Sequence, residues 1–259
     1  MSIFDELTFD INIYTVDDTR KDLERVVEYF QSLPYHERAM QAFLIETRHM
    51  PESVIKDSNA FFIDEDISPA TLPDWMQASS LGLVKANFIP MWGRCVFPVK
   101  SPKGSIMGFV GWDPTVKPKY LDSINYGYKA KVTSFYGMEN LYRYYTSSEP
   151  VFITEGLMCT LWLRSQGFQA MASLGSHLSG YCVEILKRLG PRCVVVPDND
   201  QAGEDYLKQV KRKLPLAQEI MVRQGKDIDG CRLDHQEDLI SDLRNISNLQ
   251  YANKIIIRR

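Results

Sequence analysis

The sequence predicts an α/β protein, an α+β amino-terminal subdomain followed by a parallel α/β sheet. Three observations lead there. From Val151 to Leu214, short runs rich in β-branched residues alternate with helical-period segments, as in strands joined by helical crossovers. From Phe88 to Trp112 the hydrophobic period is two, interrupted by the turn Ser101-Pro102-Lys103-Gly104. Before these, Arg20 to Thr47 carries apolar residues at helical spacing.

Each element has its own signal. Met1 to Asp18 alternates in part, which predicts a short strand or docked arm before Asp17-Asp18-Thr19 caps a helix. That helix, Arg20 to Leu33, presents Leu23, Val26, Val27 and Phe30 on one face and stops at Pro34. A second helix is expected over His36–Thr47, a short one over Glu52–Lys56, and another over Thr71–Lys85 that begins at Pro73 and turns Trp75, Met76 and Leu81 inward. Arg94–Lys100 and Ser105–Trp112 make a hairpin, and Pro114–Tyr128, rich in Lys, Tyr and Pro, is expected to be a surface loop.

Val151-Phe152-Ile153-Thr154 reads as a buried strand that stops at Glu155-Gly156. A helix closed by Gly167, the strand Gln169–Ala172, and a helix Tyr181–Leu189 closed by Gly190 follow. The run Arg192 to Pro197 then leads into Asp198-Asn199-Asp200, and a helix opening at Ala202-Gly203 carries Tyr206, Leu207, Val210 and Leu214. After Gln218–Arg223 comes Gly225-Lys226-Asp227-Ile228-Asp229. The expected division is 1–137, 138–245 and a tail over 246–259.

In open parallel sheets ligands bind at strand ends, at a switch in strand order, so Glu155, Asp198 and Asp200 are expected to meet there. Three carboxylates at one edge need a cation or protons to offset their repulsion, and an all-oxygen set favours magnesium or manganese over zinc. Asp227 and Asp229 are placed to add ligands for a second ion. The plainer alternative, a polar turn that caps a helix, accounts for one acid and not for three. Other α/β folds bind magnesium at strand ends, but those commonly use a nucleophilic Asp on the first strand, where this chain has Glu-Gly.

A net charge of −3 over 259 residues excludes a uniformly basic DNA-coating protein, so nucleic-acid contact must come from a local patch. Lys117, Lys119, Lys129 and Lys131, interleaved with Tyr120, Tyr126 and Tyr128, have the composition of such a groove: cations for phosphates and flat rings for bases. The five cysteines are scattered through apolar runs without zinc-ligand spacing, which predicts reduced core thiols and, with no signal-peptide pattern or long apolar run, a cytoplasmic protein.

The Glu155-Gly156 turn, the Ala172-Ser173-Leu174-Gly175-Ser176 loop and Asp198-Asn199-Asp200 followed by Ala202-Gly203 resemble a Toprim domain, and more narrowly that of bacterial and phage DnaG-type DNA primases. The likeness extends upstream to Arg94-Cys95-Val96-Phe97-Pro98, Gly104 to Phe109, Pro118-Lys119-Tyr120-Leu121, and Lys131 with Tyr136-Gly137, and spans Phe43 to Asp242 in all, with Phe43-Leu44 through Val54-Ile55 to Phe61-Phe62-Ile63 similar to the helical entry of the family's polymerase domain. It implies RNA primer synthesis on single-stranded DNA by metal-dependent nucleotidyl transfer from ribonucleoside triphosphates. Glu155 would ligate metal or act as base, Asp198, Asp200, Asp227 and Asp229 would hold more than one Mg2+ or Mn2+ ion, and Arg94, Lys119, Tyr120 and Lys131 would contact nucleotide or template.

The chain departs from the family pattern at Cys159, where an Asp is usual, at Trp112 in place of an Arg, and at Asp122 in place of an Asn. The family's zinc-binding and helicase-docking modules have no counterpart in the sequence, which implies a catalytic core partnered by a separate zinc-binding primase subunit and a replicative helicase. The alternatives within the resemblance are a non-catalytic Toprim nucleic-acid-binding accessory protein and a Toprim-type nuclease.

Overall fold

The computed structural model describes residues 17–77, 81–85, 88–101, 104–123, 135–140, 149–175, 178, 180–190, 192–222, 225, 227–248 and 254–257. The chain divides into two compact units, Met1–Ser134 and Phe135–Arg259. The amino-terminal arm expected before Asp17 lies outside the described residues.

In the first unit, helix α1 (Asp17–Gln31) buries Leu23, Val26, Val27 and Phe30, a stripe at i, i+3, i+4 and i+7. Helix α2 (His36–Met40) passes into a π-helical turn, Gln41–Glu46, where one regular helix is expected. The Ala42 carbonyl accepts both the backbone N–H and the hydroxyl of Thr47, at 3.0 and 2.8 Å, and this five-residue spacing widens the turn. Helix α3 (Ser53–Ser58) ends at Asn59, whose φ of 55° lies in the left-handed region that asparagine tolerates.

Strands β1 (Phe61–Ile63), β2 (Arg94–Lys100), β3 (Ile106–Trp112) and β4 (Tyr120–Asp122) form an antiparallel sheet in that order. The β2–β3 hairpin agrees with the sequence. Strand β1, expected in a helical entry, and β4, expected in a surface loop, do not. Each has three residues, too few for a period of two to show, and each is a strand because its neighbour supplies hydrogen-bonding partners. Nor is Thr71–Lys85 one helix: short 3-10 turns occupy Pro69–Thr71 and Asp74–Gln77, and Gly82 has a φ of 61°. Pro69 and Pro73 have no N–H to continue a helix, and a positive φ breaks its hand. Met76 and Leu81 are nonetheless buried, and Trp75 packs against the core. At the centre of that core Phe30 stacks on Phe61 at 5.1 Å, and Phe61 meets Phe109 edge-on at 5.4 Å.

The second unit runs β5 (Val151–Thr154), α4 (Leu157–Ser165), β6 (Gln169–Ala172), α5 (Gly180–Leu189), β7 (Cys193–Val196), α6 (Gln201–Lys213), β8 (Gln218–Val222), α7 (Ile228–Asn248) and β9 (Lys254–Ile257). The sheet is parallel with order β6-β5-β7-β8-β9. Sequence periodicity does not reveal α7, which is kinked at His235 and packs against α4. The segment 246–259, set apart in the sequence as a tail, contains β9, paired in parallel with β8.

Tyr136 bridges β6 through reciprocal 2.9 Å hydrogen bonds with Ala172, and the next residue, Gly137, has a φ of 96°. A β-carbon there would lie 2.9 Å from the Ala170 carbonyl oxygen, so the close approach requires glycine. All five cysteines are buried and none forms a disulfide, and burial pushes the Cys193 thiol up to about 12. Among the described residues no helix is long and apolar enough to cross a membrane.

Phe61→Ala removes a fully buried ring from the centre of the first unit. It is expected to cost about 3–5 kcal/mol of stability, read from the shift in urea midpoint.

Candidate active site

Register decides what the second unit brings together. Thr154 pairs with Ala172 on one side and Val196 on the other, so β5, β6 and β7 end level and the segments after them leave from one edge. The chain moves from β5 to β6 and then returns across β5 to β7. The β5–β7 boundary is therefore a topological switch point.

Glu155 and Asp198 meet at that boundary, where the Asp198 backbone N–H donates to Glu155 Oε1 at 3.3 Å. Both are half-buried. Hydroxyl groups hold the turn beneath them. Thr154 Oγ1 donates to the Gly156 carbonyl at 2.9 Å and lies 2.7 Å from Thr160 Oγ1, while the Ser173 backbone N–H donates to the Thr154 carbonyl at 3.0 Å. Tyr206, fully buried on α6, directs its hydroxyl at the same carbonyl at 3.5 Å. Burial raises the Tyr206 phenol pKa, and the neighbouring charges of Glu155 and Asp198 raise it further, so this group remains a proton donor.

Asp200 is the N-cap of α6, its carboxylate accepting the Gly203 N–H at 3.0 Å. A β-carbon on Gly203 would collide with the Asp198 carbonyl oxygen, so the glycine lets the helix start directly against the turn that carries both acids. Asp227 caps α7 in the same manner, with Oδ1 2.7 Å from the Gly230 N–H. Asp229 behaves differently. It is buried and paired with Arg232, whose Nε and Nη2 both lie 2.7 Å from Asp229 Oδ1. Asn199 Nδ2 donates to the Gly225 carbonyl at 3.4 Å, tying the turn after β7 to the turn after β8.

The oxygen donors suit magnesium or manganese, which commonly take one or two protein carboxylates and complete their sphere with water and substrate phosphate. Glu155 and Asp198 fit that pattern. Among the described residues no three His, Cys, Asp or Glu side chains come together as a ready-made metal cluster. Asp200 and Asp227 each commit an oxygen to a helix N-terminus, and Asp229 is held by a guanidinium. The hydroxyl floor and Arg232 escape the sequence reading. The one available signal was the i, i+3 spacing of Asp229 and Arg232, which is common on exposed helices and does not announce a buried pair.

In the first unit, Arg94 is buried and its guanidinium donates to the carbonyls of Lys119 at 3.0 Å and Pro118 at 3.2 Å. Gly111 makes room for it, since a β-carbon there would lie 3.0 Å from Arg94 Cδ. Lys119 also accepts the Asp113 N–H at 3.0 Å, closing the loop between β3 and β4. Lys117 and Lys119 are exposed, and Tyr120 is half-buried on β4. Lys129, Lys131, Tyr126 and Tyr128 lie outside the described residues. Trp112 is a core side chain, edge-on to Phe43 at 6.3 Å and covered by the Arg48 guanidinium at 5.4 Å. Cys159 is buried on α4.

Residues 152–231 match a family described as Toprim-like. The chain is 29% identical over 214 residues to a DNA primase of Clostridium acetobutylicum, an alignment covering 67% of this chain and 35% of that protein's length. In fold it resembles the RNA polymerase domain of Mycobacterium tuberculosis primase DnaG, at TM-score 0.73 and 15% identity over 90% of this chain and 84% of that one. It also resembles a DnaG primase catalytic domain bound to single-stranded DNA, at TM-score 0.73 and 19% identity over 88% and 78% of the two chains.

Gly203→Ala forces the start of α6 away from Asp198. The substitution is expected to cost about 2 kcal/mol or more, well beyond an ordinary first-turn Gly→Ala change, measured by thermal unfolding.

Proposed function

We propose, for a chain homologous by sequence and alike in fold to the catalytic core of bacterial and phage DnaG-type primases, that it makes RNA primers on single-stranded DNA by metal-dependent nucleotidyl transfer. The observation that carries this reading is the meeting of Glu155 with Asp198 at the switch point of the parallel sheet. In the reaction, the 3′-hydroxyl oxygen of one nucleotide attacks the α-phosphorus of a ribonucleoside triphosphate. The bond to the bridging oxygen breaks and pyrophosphate leaves. Glu155, oriented by the Asp198 N–H, takes the hydroxyl proton, while Asp198, Asp200 and Asp227 would hold the divalent ion. When bound, magnesium or manganese would lower the pKa of the attacking hydroxyl and neutralise the departing pyrophosphate.

Lys119 and Lys131 contact phosphates, and Tyr120 offers a face for a base. Arg94 serves by fixing the carbonyls of Pro118 and Lys119, which sets the course of the loop. The direct test is incorporation of labelled ribonucleotide on single-stranded DNA with magnesium, with manganese, and with neither. No incorporation under any of these conditions would favour a non-catalytic nucleic-acid-binding role.

Glu155→Gln, Asp198→Asn and Asp200→Asn are each expected to lower kcat by about a hundredfold or more, as lost charge stabilisation at a reacting centre does. Stability should hold or rise, because neutralising an acid relieves repulsion at the edge and Asn still caps a helix. Variants that keep full activity, or that unfold far below the wild-type Tm, would make these acids structural. Lys119→Ala is expected to weaken oligonucleotide binding and to reduce the slope of log Kd against log salt by about 0.7, one phosphate contact on a single strand. An unchanged slope would return the loop to ordinary solvated surface.

A further inference from the structure

We infer that Asp229 is not a metal ligand but half of a structural latch with Arg232, and that this guanidinium supplies at the acidic edge the positive charge that a second divalent ion would otherwise bring. The inference rests on the proposed metal-dependent transfer and narrows it to one protein-held ion. Both members of the pair are inaccessible, with Asp229 4% and Arg232 3% exposed. Nε and Nη2 of Arg232 converge on the same carboxylate oxygen at 2.7 Å, across the first turn of α7.

Burial lowers the Arg232 pKa, while Cys159 on α4 and Asp227 at the cap of α7 oppose that shift. The guanidinium thus feels a thiol and a second carboxylate as well as its partner, on a helix that packs against α4. An ion that captured Asp229 would strand a buried guanidinium, and breaking a buried pair by removing one partner is strongly unfavourable. Asp227 stays at the edge with one oxygen fixed by the Gly230 N–H. The turn before it is set by the backbone and not by the latch: Gly225, with a φ of 81°, lies so close to the start of α7 that a β-carbon would be 2.8 Å from the Cys231 backbone nitrogen.

Two measurements on the whole chain test this. In a Mn2+ titration followed by electron paramagnetic resonance, the wild type is expected to bind one ion per chain. The Asp229→Leu/Arg232→Met double variant should bind one with unchanged Kd, and Asp198→Asn should bind it roughly tenfold or more weakly. In thermal unfolding, Arg232→Met alone is expected to lower Tm by on the order of 10 °C, and the double variant to recover most of that loss, since an apolar pair replaces a buried ion pair at little cost. A second Mn2+ that disappears in the double variant would overturn the inference, as would single losses in Tm that simply add. If the wild type binds no Mn2+, the nucleotidyl-transfer reading fails, and the thermal cycle alone then decides the latch. Should the apolar pair not fold, Asp229→Asn/Arg232→Gln carries the same two measurements.

Discussion

Carboxylates gathered at the ends of parallel strands repel one another, and the second unit is arranged around how each finds a donor. Glu155 accepts the Asp198 N–H, Asp200 and Asp227 accept N–H groups at the starts of α6 and α7, and Asp229 is met by Arg232. Because every crossover helix begins at the edge where its preceding strand stops, the positive ends of the helix dipoles collect where the acids are. The same backbone groups that would otherwise be unsatisfied at a helix start are the ones that orient the carboxylates. Cap and ligand are therefore compatible roles for one side chain, since a cap uses one oxygen.

Glycine and hydroxyl groups set how closely this edge can be assembled. Gly203 lets α6 start against the Asp198 carbonyl, and Gly137 lets the segment before β5 lie on β6. Thr154, Thr160, Ser173 and Tyr206 form a buried polar layer under the Glu155 turn. A layer of this kind, once satisfied, fixes a single geometry more strictly than apolar packing does. The first unit uses the same device with a cation. Arg94 spends its donors on loop carbonyls, so the residue that a motif comparison would place against substrate also fixes the backbone at Lys119, where the loop enters β4.

What the sequence made legible follows from how local each signal is. The β2–β3 hairpin and the strand–helix alternation from Val151 to Leu214 are written in period and turn chemistry, and the structure has them. Strands β1 and β4 are short and exist through pairing, which no window of their own residues can show. The π-turn in Gln41–Glu46 depends on the Thr47 hydroxyl reaching back to Ala42, a contact that helical periodicity does not encode. At the site, Glu155 and Asp198 were identifiable because they stand at strand ends. Arg232 was not, because burial and partner choice are properties of the packed edge.

A parallel α/β sheet hosts many chemistries, so the fold narrows the reaction less than the site does. The discriminating features are a first strand that ends in Glu-Gly rather than a nucleophilic Asp, and a return across that strand which sets Asp198 beside Glu155. A side-chain nucleophile would carry the transferred group covalently. Under the proposed reading Glu155 would accept a proton and Asp198 would partner a cation, roles that together suit attack by a substrate hydroxyl. Cys159, in the first turn of α4, stands where an acid would add a further negative charge, and Asp229 is balanced by a resident guanidinium. The departure at Cys159 and the presence of Arg232 thus act in the same direction: both lessen the net negative charge of this edge.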